Sequence, residues 1–185
     1  MKFVKTSIYL IFIFILFTGF NSSKDWYTLI ASEFDYQVEY PLKPRSLERE
    51  INSEVGKLKM NIFLLDMSKS KKSQNLFYMS NYTEYPKEGV SSDKKELLDD
   101  FFNGAINGAV KNVQGKLISK KTIQYKEYPG RYIKIDFRNG LAIITMKIIL
   151  VKNKMYMLQT ITETKKDFNT SITRFMKSFK LLSDN

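Results

Sequence analysis

The sequence predicts an α+β fold, an antiparallel β-sheet with helices packed on its faces. Three observations carry that expectation. Strand-like segments outnumber helical ones, two segments carry apolar residues at helical spacing, and turn residues punctuate the strand-like stretches at short intervals.

The elements follow in chain order. Residues 34–40 alternate Phe34, Tyr36, Val38 and Tyr40 with polar neighbours, which is the period of a half-buried strand. Pro41 and Pro44 end it. Residues 58–67 and 76–85 read as two further strands. The polar connector 68–73 between them, with Lys69, Lys71 and Lys72, reads as an exposed turn. Asp93 followed by Glu96 fits a capping box ahead of Leu97, Leu98, Phe101, Phe102, Ala105, Ile106, Ala109, Val110 and Val113, a helix with a broad apolar face. Gly104 and Gly108 share a ridge of that helix. Close packing on the sheet is the expected reason, with a binding cleft as the alternative.

A meander of strands is expected next, over residues 116–127, 131–138, 141–152 and 154–164. Tyr128-Pro129-Gly130 reads as a strand-to-strand turn, Asn139-Gly140 as a tight hairpin, and Asn153 as the last turn. The run Ile148, Ile149, Leu150, Val151 suggests a central strand covered on both faces. Phe168, Ile172, Phe175 and Phe179 then trace the apolar face of a closing helix.

Residues 1–23 differ in kind. Lys2 and Lys5 precede an apolar run from Ile8 to Phe17, and no charge occurs from Thr6 to Ser23. This reads as a secretion signal, with an uncleaved membrane anchor through residues 6–23 as the alternative. Residues 24–185 then form one α+β domain, exported to a periplasmic or extracellular space.

Composition narrows the chemistry. The 185 residues include no His and no Cys, so thiol nucleophiles, disulfides, iron–sulfur clusters, thiolate or imidazole zinc sites and Ser-His triads lack their essential atoms. Three Ser-x-x-Lys matches, at Ser68, Ser91 and Ser92, occur about as often as chance allows and lack the partner motifs of penicillin-recognising enzymes. Asp99 and Asp100 diverge by about 100° on a helix and cannot grip one bond together. No calcium loop or phosphate-binding glycine loop is present. No catalytic, cofactor-binding or metal-ligating residue is therefore expected. Asn81 and Asn169 head N-glycosylation patterns.

The net charge is +11. Beyond the leader the excess gathers at Lys69, Lys71 and Lys72, at Lys94 and Lys95, at Lys120 and Lys121, and at Lys165 and Lys166. Lysine guards turns and sheet edges, and it also attracts anionic surfaces. Lys69, Lys71, Lys72, Lys120 and Lys121 are the candidates for such a surface. With five arginines among 30 basic residues, nucleic acid is not an expected partner.

The order of elements resembles small exported bacterial domains of the PsbP-like fold. The segments that carry it are 34–41 with Pro44, 82–86, the long helix, Tyr128-Pro129-Gly130-Arg131, Met155-Tyr156-Met157-Leu158 and 175–179. The resemblance spans roughly residues 34–181 and implies a sheet between helices, the PsbP-like sandwich, in a non-catalytic accessory or binding domain. An envelope protein or an anionic surface is then the expected partner. Electrostatic attachment to anionic lipid or acidic polysaccharide is the second expectation, and an enzyme using carboxylates from distant strands is the third.

Overall fold

The computed structural model describes residues 25–53 and 55–183. The expected leader or anchor, residues 1–23, lies outside the described residues. Among those described, no helix is long and apolar enough to cross a membrane.

Among the described residues ten strands and two α-helices follow one another: β1 (Tyr27–Ala31), β2 (Tyr36–Tyr40), β3 (Arg45–Ser53), β4 (Gly56–Asp66), β5 (Phe77–Glu84), α1 (Leu98–Val113), β6 (Lys116–Tyr125), β7 (Tyr128–Phe137), β8 (Ala142–Val151), β9 (Lys154–Glu163), α2 (Thr170–Lys177) and β10 (Lys180–Leu181). Seven strands form an antiparallel sheet in the order β3-β4-β5-β9-β8-β7-β6, and β1, β2 and β10 form a small second sheet. The architecture is α+β and predominantly antiparallel, as expected.

Strand β8 shows why both faces are apolar. Ile144, Met146, Ile148 and Leu150 pack with Phe102 and Ile106 of α1, whereas Ile149 and Val151 join the opposite cluster. That second cluster holds Ile172, Phe175 and Met176 of α2 and the small sheet's Tyr36, Val38 and Tyr40. Successive side chains on a strand point to opposite faces, so a strand covered twice must be apolar throughout.

Several local expectations are corrected. Phe34 lies in a 3-10 turn rather than in the strand, because Asp35 reverses the chain at φ 61° and its carboxylate accepts from the Ser183 N–H and hydroxyl. The capping box does not form. Ser92 is tied to Lys152 through both its backbone N–H and its hydroxyl, so the chain reaches the helix through a 3-10 turn (Lys95–Leu97) and no side chain caps α1. Tyr128, Pro129 and Gly130 belong to β7 itself, and the reversal falls at Lys126, φ 51°. Gly130 is required there because a Cβ would approach the Ile148 carbonyl oxygen to 2.5 Å. Phe168 leaves the apolar face: it precedes α2 and is 85% exposed. Asn169 sets the helix start instead, its Oδ1 accepting the Ile172 N–H at 3.0 Å.

Candidate ligand groove beneath the long helix

Helix α1 packs on one face of the large sheet. Phe102 and Ile106, four residues apart, sink onto Ile133, Ile135, Ile144 and Ile148 of β7 and β8. On the β3–β4–β5 side the same face stays open, leaving a groove of about 870 Å³. Its helix wall includes Leu98, Phe101 and Ala105, and its floor includes Ile51, Met60, Ile62, Met79, Met155 and Met157.

Gly104 and Gly108 stand in that helix wall. A Cβ at either would meet nothing within 4 Å. The expectation of close packing is therefore overturned, since both positions border open space at the groove while Phe102 and Ile106 make the buried contacts with the strands. The absence of side chains there widens the groove.

The floor is rich in methionine. Five methionines, Met60, Met79, Met146, Met155 and Met157, line it, and unbranched thioether side chains reshape around different partners. Within this apolar surface sits Asn81 of β5, 2% exposed. Its register neighbours are Ile62 on β4 and Met157 on β9. Its Nδ2 lies 3.6 Å from the Met157 sulfur, and its Oδ1 has no partner among the described residues. Thr83 follows on the same face of β5, with an equally unpartnered Oγ1. A buried amide oxygen left unpaired costs about 1–3 kcal/mol, so Asn81 holds unmet hydrogen-bonding capacity just beneath the groove surface. Tyr85 closes one side of the groove, where burial pushes its phenol above the usual value.

Asn81 and the methionines were not singled out as a site in the sequence. The sequence signal is an Asn in the middle of the apolar segment 76–85, where it also heads a glycosylation pattern. Its burial in a central strand removes it from the reach of a glycan.

The candidate lysines do not form one site. Lys69, Lys71 and Lys72 are exposed in the β4–β5 loop. Lys120 and Lys121 lie on β6, four strand positions from β5, about 19 Å across the sheet. Being adjacent on a strand, those two also face opposite ways; Lys120 donates to Asn103 of α1 at 3.1 Å. Asp99 pairs with Arg131 at 2.5 Å, while Asp100 borders the groove. A second recess of about 810 Å³ is bordered by Glu33, Glu48 and Glu84. Glu48 meets Lys59 at 2.7 Å and Glu84 accepts the Tyr82 hydroxyl at 2.8 Å. Among the described residues no group of three or more Asp and Glu has metal-holding geometry.

No family model matches the chain. No curated protein matches it either. Among solved structures, it is similar to the solution structure of cyanobacterial PsbP (CyanoP) from Synechocystis sp. PCC 6803, with a TM-score of 0.50 and 13% identity over 88% of this chain and 96% of that one. The fold resembles that of PsbP. The resemblance expected from the order of elements is thus found in three dimensions, and at this identity it concerns the fold alone. A PsbP-like frame leaves the groove to be read from its own residues.

Proposed function

We propose that the chain is an exported, non-catalytic binding domain of the bacterial cell envelope, a PsbP-like sandwich that holds an apolar peptide segment of a partner protein in the groove beneath α1. The supporting observation is the pairing of a methionine floor with the unpartnered Oδ1 of Asn81. A hydrocarbon chain would satisfy the methionines and leave the oxygen dry. A peptide offers apolar side chains and an N–H donor together. The groove volume lies within the range of pockets that enclose a ligand.

The test measures binding and turnover on the same purified chain. An environment-sensitive apolar dye should bind and be displaced by a capped Leu- and Phe-rich pentapeptide, with Gly104→Trp removing both effects by filling the wall. Panels of ester, glycoside and peptide substrates should show no hydrolysis. Reproducible turnover abolished by one Asp or Glu substitution would replace this reading with carboxylate catalysis.

A further inference from the structure

Three loops meet at one end of the large sheet: residues 67–76 between β4 and β5, 138–141 between β7 and β8, and 164–169 between β9 and α2. Hydrogen bonds hold them side by side. Asn169 Nδ2 donates to Asn75 Oδ1 at 2.8 Å, and Thr164 Oγ1 donates to the Gly140 carbonyl at 2.7 Å. Between them these loops carry Lys69, Lys71, Lys72, Arg138, Lys165 and Lys166 against a single acid, Asp167. That acid is already committed to Lys134 at 2.5 Å, with both side chains 12% exposed. Glu163 at the rim meets Lys165 and Lys166 at 3.2 Å each, Asp66 is held by Ser68, and Asp136 accepts the Gly140 N–H. Among the described residues, no carboxylate lies within ion-pair distance of Lys69, Lys71, Lys72 or Arg138.

Two large apolar side chains stand in this basic field. Phe168 is 85% exposed and Leu141 60%. Phe168 has φ 65°, a left-handed backbone that costs free energy in a bulky residue and persists where its surroundings impose it. Asn169 imposes it by capping α2 and donating to the Lys166 carbonyl at 2.9 Å. Lys134 Nζ, 3.5 Å from the ring centre, steadies the ring from below. The fold thus maintains an unfavourable conformation that places a phenyl ring in water.

The described chain also begins at this end. Trp26 packs edge-on against Tyr78 at 5.9 Å, and the Tyr78 hydroxyl accepts from Asn75 of the β4–β5 loop at 2.7 Å. The uncharged stretch 6–23 lies immediately upstream in the sequence.

We propose that this end docks on an anionic lipid bilayer, with Phe168 and Leu141 entering the boundary between headgroups and acyl chains while the six basic side chains lie over headgroup phosphates. The lysines alone would fit any polyanion. The exposed ring and the leucine between them fit a surface that is charged outside and apolar just beneath. Lys120 and Lys121 take no part, and the groove beneath α1 is a separate feature.

The absence of cysteine from the chain permits a depth measurement on the full protein. Spin labels are placed at Ser70→Cys, at Leu141→Cys with Phe168 intact, and at Glu127→Cys in the turn at the opposite end. On phosphatidylglycerol-containing vesicles the labels at 70 and 141 should lose contact with a water-soluble collider, while the label at 127 keeps it. Phosphatidylcholine vesicles or 0.5 M NaCl should reverse the loss. Replacing Lys69, Lys71 and Lys72 together by Gln should weaken docking by roughly 100-fold, and Phe168→Ser should move the label at 141 outward. Because the upstream segment is present throughout, its own insertion does not produce this pattern. The proposal is overturned if the labels at 70 and 141 stay water-accessible on anionic vesicles or are equally immersed in phosphatidylcholine alone. It is likewise overturned if polygalacturonate shields them and vesicles do not.

Discussion

The hydroxyl of Tyr40, on the small sheet, donates to Ser80 Oγ on the large sheet at 2.8 Å, joining the two sheets through a bond buried on both sides. Tyr36 reaches the same Ser80 oxygen at 2.9 Å. Burial raises both phenols well above their usual range, so both stay protonated. Ser80→Ala removes the partner of the buried Tyr36 hydroxyl and one of two acceptors of the Tyr40 hydroxyl, which keeps the Phe63 carbonyl at 3.0 Å. The expected loss is about 1–3 kcal/mol, read as a lower urea midpoint with an unchanged slope. Tyr40→Phe should cost less, since it removes the donor along with the bond.

Lys134 and Asp167 form the best-buried ion pair described. Asp167→Ala strands a buried ammonium and should cost about 3–5 kcal/mol. The double change Lys134→Met with Asp167→Leu should recover most of that loss, since Asp167 Oδ1 is itself unpartnered and the pair is imperfectly satisfied. Thermal denaturation of the three proteins checks the order.

Lys147 gives a pH signature. Burial holds its ammonium below the ordinary value of 10.5, although Nζ donates to the Met176 carbonyl at 3.0 Å. Between the lowered folded value and 10.5 the unfolded chain binds more protons, so this group's contribution to stability rises with pH. Lys147→Met should therefore be more stable than the parent at pH 7, with the advantage shrinking as pH rises through that window. Taking the difference between the two proteins cancels the tyrosines, whose raised phenols act with the opposite sign.

Gly130→Ala tests the tight approach of β7 to β8. The added methyl carbon would lie 2.5 Å from the Ile148 carbonyl oxygen and 3.1 Å from Ile123 Cγ1. Backbone cannot yield as a flexible side chain does. The variant should lose stability, and amide exchange should accelerate first in the β7–β8 ladder.

The helices were legible because Phe102 with Ile106, and Ile172 with Phe175, keep helical spacing, and the later strands were legible from the turns at Asn139-Gly140 and Asn153, though not from Tyr128-Pro129-Gly130, which lies within β7. Strand β3 was not legible. It is an edge strand, and Arg45, Glu48, Arg49 and Glu50 disguise the apolar pair Leu47 and Ile51. Strand β10 is two residues long, below any periodicity. Of the groove, the sequence showed Gly104 and Gly108 but not which way they faced, because α1 packs through part of a broad apolar arc. Asn81 became a candidate once its neighbours across β4 and β9 were known, and pairing between distant strands has no local signature.

The most direct measurement is the methyl NMR spectrum of the methionines during titration with the capped apolar pentapeptide. The account predicts saturable shifts at Met60, Met79, Met155 and Met157, none at Met67 or Met176, and at least tenfold weaker binding by Asn81→Leu, as expected for a lost buried hydrogen bond. Unmoved groove methionines, or an Asn81→Leu protein that binds as tightly as the parent, would contradict it.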